Sequence, residues 1–312
     1  MISSVFGKTK PVNYILVLCF LTLLYACALF LRFNREISLE TLPMDVLGIS
    51  ALLLSVLLVN FIVQRNQLTG SHSYTSYFFA LLVLLFPESL LDRHALVANL
   101  FLLLAMRRLI SLKSLRNVKA KIFDGALWIL VGSLLVDWVL LFMLLPWIYV
   151  YFYEPRNLRN WLNPLAAVAV VGLIGAAVAF LAGIPDFIGT HYRLRWEGTV
   201  EYWAQWRNAA KLGSYILVVL IAGFTAFLKL GKAGHGRIVV MRLLAISLLV
   251  GIGVVLLRSG MRGSPIVLTF FPAAVFLSKY IESVRKEKIR EGLLIGALLI
   301  CLAVFSGEWL LA

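Results

Sequence analysis

Long apolar runs alternate with short polar gaps along almost the whole chain. The runs cover 13–31, 46–63, 74–91, 94–110, 163–186, 209–228, 238–257, 265–281 and 292–311. Each is near the roughly 20 residues that a helix needs to cross a ~30 Å hydrocarbon core. The stretch between Asp124 and Glu154 is different, because its only charge is Asp137, in "GSLLVDWVLL". As one helix, Gly125–Tyr153 would rise about 43 Å. Spanning the core would then need a tilt near ~45°, steeper than the usual ~0–40°. The alternative is a split pair of short helices over 122–153, turning at Asp137. Each would be about 21–25 Å long and would need thinning of the bilayer or burial among other helices. The pattern predicts an all-α polytopic membrane bundle of about 11 spans, forming one integral domain over residues 1–312.

Loop charges orient this bundle and decide between the two forms of 122–153. With the N-terminus inside and a single helix at 122–153, fifteen Lys and Arg fall inside and thirteen outside. With the split, the second half inverts, and nineteen fall inside against nine outside. The bias favours the split, the C-terminus outside, and Asp137 at an external turn with Trp138 as an interfacial ring. Lys8 and Lys10 before the first run have the look of a signal peptide, but the run stays apolar past Cys27, and we read it as an uncleaved span.

Composition agrees. Apolar residues make up 62% of the chain, charged residues 14%, and the mean hydropathy is +0.94. The net charge of +14 sits in short loops, which points to orientation and anionic headgroups and away from nucleic acid. Cys19, Cys27 and Cys301 form no CxxC pair, and the four histidines have no ligand spacing, so no metal site or cofactor is expected.

Candidate chemistry gathers on the external side. "FPESLLDRH", 86–94, places Glu88, Asp92, Arg93 and His94 within seven residues. Glu88 and Asp92 share a face if the helix continues through them. The plain alternative is a hairpin turn with Arg93 paired to Asp92 or Glu88. Glu36 and Glu40 lie in the first external loop. The segment 189–208 reads as an interfacial amphipathic helix, with Trp196, Trp203 and Trp206 as an anchor at headgroup level or a lid over a cleft. Inside, "RRLISLKSLRNVKAK", 107–121, reads as a basic surface helix, with Arg107, Arg108, Lys113 and Arg116 against lipid headgroups.

Four blocks carry a resemblance: "MISSVFGKTKP", "NFIVQRNQLTG", "NLFLLLAMRRLISLKSLRNVKAKIFDGALWILVGSLL" and "YEPRNLRNWLNPL". Over nearly its whole length the chain resembles a family of multi-pass inner-membrane proteins of Bacteroidota, flavobacteria especially, known as a domain of unknown function. That resemblance implies a bacterial inner membrane and supplies no activity. Over 94–153, an apolar span ending in Arg107-Arg108, a basic loop and two short helices meeting at Asp137 resemble the core of the GT-C membrane glycosyltransferases. This second resemblance implies a polyprenyl-phosphate-linked substrate, catalysis by Glu36 with Asp137, and a pocket of Glu40, Glu88, Asp92, Arg93 and His94.

The leading expectation is thus a protein that handles a lipid-linked glycan or envelope lipid at the external face. A non-catalytic scaffold and a small-solute transporter are the competing readings. The split at Asp137 makes a direct prediction. Reporter fusions at Asn157 should lie inside and at Thr199 outside, whereas a single helix over 122–153 reverses both.

Overall fold

A computed structural model describes residues 2–32, 41–194, 206–229, 234–258 and 265–310, and these contain helices and no strand. The helices are α1 (Ile2–Phe6), α2 (Pro11–Ala26), α3 (Leu42–Asn66), α4 (Tyr74–Leu85), α5 (Arg93–Ile110), α6 (Val118–Ser133), α7 (Leu144–Tyr153), α8 (Leu158–Leu181), α9 (Phe187–His191), α10 (Trp206–Leu228), α11 (His235–Leu257), α12 (Val267–Glu282) and α13 (Glu287–Leu310). A π-helical turn, Cys27–Arg32, extends α2. Among the described residues seven helices are long and apolar enough to cross a membrane: α2, α3, α5, α8, α10, α11 and α13. Tyr74–Leu85 and Asp137–Tyr153 are shorter apolar segments.

Local chemistry explains where the helices break. Pro87 has no amide to donate, so α4 stops at Leu85 and a 3-10 turn, Pro87–Leu90, follows. Asp92 then opens α5, its carboxylate accepting from the Ala95 amide at 2.9 Å. These breaks correct the expectation of one helix over 74–91. Glu88 and Asp92 lie on different elements and share no helix face.

The basic stretch 107–121 is likewise not one surface helix. A 3-10 turn at Ser111–Ser114 follows α5, and Leu115 and Asn117 both take the left-handed conformation, each with φ of 52°. Two lysines satisfy the carbonyls left open there. Lys113 donates to Asn66 O at the end of α3, and Lys121 donates to Ser111 O and to the Ser114 hydroxyl.

Contacts sort the helix ends into two groups. At one end Lys113 meets Asn66, the His72 ring lies 3.8 Å from Glu282, Glu291 accepts from the Ile2 and Ser3 amides, and Asn163 donates to Lys119 O. At the other, Arg93 meets Asp45, Lys211 meets Glu88, and His191 meets Ser133. We call these the Lys113 end and the Arg93 end. Residues 118–153 leave the Lys113 end and return to it, since Glu154 shares a cavity with Asn117 and Lys119. The reversal follows α6, where a 3-10 helix begins at Asp137 and runs to Met143. Trp138 is buried, not an interfacial ring as its neighbour Asp137 suggested.

The short helices occupy the middle. Tyr74 through Leu84 of α4 are all buried, as are Val267 through Phe276 of α12. Phe79 and Phe270 join them edge-on at 6.0 Å between ring centroids. Of the long helices, α5 and α11 are mostly buried, while α8 and α13 face outward. On α8, Leu158, Leu173, Phe180 and Leu181 are each at least three-quarters exposed or nearly so, a surface suited to lipid and not to water.

Close approach between helices relies on glycine at two points. A Cβ on Gly125 would lie 2.7 Å from Leu109, and one on Gly251 would lie 2.8 Å from the Thr269 methyl. Thr269 is β-branched and buried, so it cannot turn aside. Gly251→Ala should therefore destabilise the bundle by about 1–3 kcal/mol, as overpacking does. Gly253, one residue from Ile252 on the same helix, has nothing within 4 Å, and its alanine should be neutral or better. Melting of the two variants in detergent checks the contrast.

Candidate functional site at the Arg93 end

Lys211 lies in the second turn of α10 and Glu88 in the 3-10 turn after α4. Their Nζ and Oε1 atoms are 2.8 Å apart. The lysine side chain is only 7% exposed and the glutamate 23%. The ammonium also stands 5.1 Å from the centre of the Phe86 ring, whose face favours a cation. The second carboxylate oxygen, Glu88 Oε2, is buried with no hydrogen-bond partner.

Tyr215, one turn below Lys211 on α10, packs edge-on against Phe86 at 5.2 Å. Its hydroxyl is 2.6 Å from Thr269 Oγ1, and the threonine in turn donates to Ile266 O. Charge, ring and hydroxyls thus form one buried polar column at the Arg93 end. Beside the column lies a cavity of about 710 Å³ between α4, α10 and α13. Trp206, Arg207 and Lys211 stand at one end of it, while Leu81, Val218 and Val304 represent an otherwise apolar lining. Trp206 is 75% exposed there.

The other candidates separate. Arg93 pairs with Asp45 at 2.9 Å, not with Asp92 or Glu88. Asp92 is spent on the α5 cap, and His94 is exposed in the first turn of that helix. Asp137 accepts from the Trp138 amide at 2.8 Å. It neighbours Tyr192, whose hydroxyl is 2.8 Å from Ser133 Oγ. Burial pushes the Tyr192 phenol up, the Ser133 hydrogen bond offsets part of that, and the charge of Asp137 adds a smaller rise, so it stays a neutral hydroxyl. Glu36, Glu40, Trp196 and Trp203 lie outside the described residues.

At the Lys113 end, Arg107 stacks 4.8 Å over Phe61, Arg108 pairs with Asp124 at 3.1 Å, and Arg116 is exposed. Among the described residues no group of three or more His, Cys, Asp or Glu is placed to hold a metal.

Lys211 and Asp45 were not singled out in the sequence. Lys211 carried one usable signal, a lone cation just inside an apolar run, which demands a partner. Glu88 lies 123 positions away, and nothing local connects the two.

Among the described residues, seven apolar helices of crossing length packed with two buried short ones have the character of a multi-pass, all-α membrane protein. Within that class, the chain belongs to a family of unknown function, DUF6427, whose family model matches residues 13–309. No curated protein and no solved structure matches it.

The ion pair yields a stability prediction. Lys211→Ala strands a partly buried carboxylate and should cost about 3–5 kcal/mol, as loss of one buried partner does. The double variant Glu88→Leu/Lys211→Met should recover most of that loss. A thermal double-mutant cycle in detergent measures both.

Proposed function

We propose that this protein binds an anionic long-chain lipid from the outer leaflet, with its chain in the crevice between α10 and α13 and its head at Arg207 and Lys211. In this reading the chain crosses the membrane eleven times. Tyr74–Leu85, Val118–Ser133, Asp137–Tyr153 and Val267–Glu282 are the four short crossings. The N-terminus and the Lys113 end face the cytoplasm, and the Arg93 end faces outward, as the loop charges direct.

The observation that carries this reading is the shape and charge of the 710 Å³ cavity. Its α13 wall, Ala297 to Gly307, rises about 15 Å, the depth of one leaflet. The floor is α4, and the two flanking helices leave a gap that an apolar chain fills without exposing backbone. The cations sit at one end only; Lys211 is matched by Glu88, so Arg207 supplies the charge that selects an anionic amphiphile and orients it head outward. A phospholipid or a polyprenyl phosphate, free or bearing a glycan, satisfies this chemistry. The bacterial inner membrane and a glycosyl-transfer step belong to the same proposal. The step would draw its acid from Glu36 or Asp137, with Glu88 tied to Lys211 and unavailable as a base.

The reading predicts that purified protein in mild detergent retains phosphatidylglycerol in native mass spectra. Ala303→Trp, which fills the crevice, should reduce retention about tenfold. Arg207→Gln should weaken the preference for phosphatidylglycerol over phosphatidylcholine about fivefold, the worth of one interfacial cation. Equal retention in wild type and both variants defeats the reading.

A further inference from the structure

A second polar site lies at the opposite end of the bundle, where the α6–α7 excursion closes on the start of α8. Asn117, Lys119, Glu154, Asn157 and Asn160 line a cavity of about 460 Å³ there. An adjoining cavity of about 660 Å³ shares Glu154 and Asn157 and adds Tyr153, Arg156 and Arg159.

The centre of this site is rich in acceptors. Glu154 Oε2 receives the side-chain amides of Asn157 and Asn160. Asn160 is fully buried, yet its own Oδ1 has no partner, and neither does the buried Tyr153 hydroxyl. A network that served only to cap α8 would not leave a buried acceptor open, since an unmet buried acceptor costs about 1–3 kcal/mol. The rim is cationic, with Lys119, Arg156 and Arg159 all exposed.

Acceptors at the centre and cations at the rim call for a ligand with an N–H-bearing cation next to an anion. The surroundings place that ligand in a bilayer. Trp147 and Trp161 flank the site, joined by the indole N–H of Trp147 on Trp161 O, and Tyr151, Leu158 and Leu162 are exposed beside it. Such a mix of rings and aliphatic surface suits the depth of lipid headgroups.

We propose that this cavity binds the headgroup of an inner-leaflet phosphatidylethanolamine. Its ammonium donates to Glu154 and Asn160 Oδ1, and its phosphate meets Lys119 and Arg156. The inference rests on the membrane reading but not on the outer crevice, which takes a different lipid.

A graded series of heads tests it at constant charge. Phosphatidylethanolamine has three N–H donors, its N,N-dimethyl form one, and phosphatidylcholine none. Native mass spectra of the full chain from nanodiscs holding each lipid at equal fraction should show retention falling about tenfold across the series, the scale of a charge-assisted hydrogen bond. Glu154→Gln and Asn160→Ala should flatten it. Lys119→Gln and Arg156→Gln, both at exposed positions, should lower all three lipids alike and remain informative if Asn160→Ala does not fold. Equal retention of ethanolamine and choline heads, or an unchanged series in Glu154→Gln, overturns the proposal. Competition by soluble phosphoethanolamine overturns the lipid assignment. A flat series with phosphatidylglycerol still retained defeats this site alone, whereas loss of both defeats the membrane-lipid reading as well.

Discussion

The helix Tyr74–Leu85 rises only about 18 Å, well short of a ~30 Å hydrocarbon core, and the bundle is arranged around that deficit. Backbone polar groups beyond its ends cannot be left in lipid. They are enclosed instead, by α2 and α3 on one side and by α12 and α13 on others. Every residue from Tyr74 to Leu84 is buried accordingly. The same condition applies to Asp137–Tyr153, which is enclosed by α6, α8 and α11. Long helices such as α8 and α13 supply outer surface, and short ones supply irregular backbone inside it.

That arrangement explains why the chemistry collects where it does. The broken segment after α4 brings Pro87–Leu90 to the Arg93 end, where Glu88 can reach Lys211. The broken segment after α7 brings Glu154 back to the Lys113 end, beside Asn160. Both polar sites thus sit at the end of a short helix, where the chain stops being helical and side chains replace the missing backbone partners. Each is also bordered by apolar surface. The site at the Arg93 end borders the α10–α13 crevice and the one at the Lys113 end the exposed flank of α8. In both, a charged group within protein lies beside exposed apolar surface.

Much of the fold was legible along the chain. Each of the nine apolar runs coincides with a helix in order, though the run at 74–91 breaks at Pro87, and the lone charge Asp137 marks where a 3-10 helix begins. The break at Pro87 was masked, because the apolar run continues through Leu91 and hydropathy does not register a lost amide. The basic stretch 107–121 kept a three-residue spacing of Leu109, Leu112, Leu115 and Val118, yet two left-handed residues interrupt it. The candidate cluster fared similarly. Neighbours in sequence, Glu88, Asp92, Arg93 and His94, found four different fates, because a turn between helices points each side chain in its own direction.

What the sequence determined by itself is the class and the helical order, since these follow from the length and spacing of the apolar runs. What only the tertiary structure decided is which charges meet. Glu88 with Lys211 and Asp45 with Arg93 are pairings across 123 and 48 positions, set by how tightly α4 is enclosed and which helices flank it. In an apolar bundle such a pairing is not optional. A charge inside must find its opposite, and the packing of intervening helices selects which one it finds.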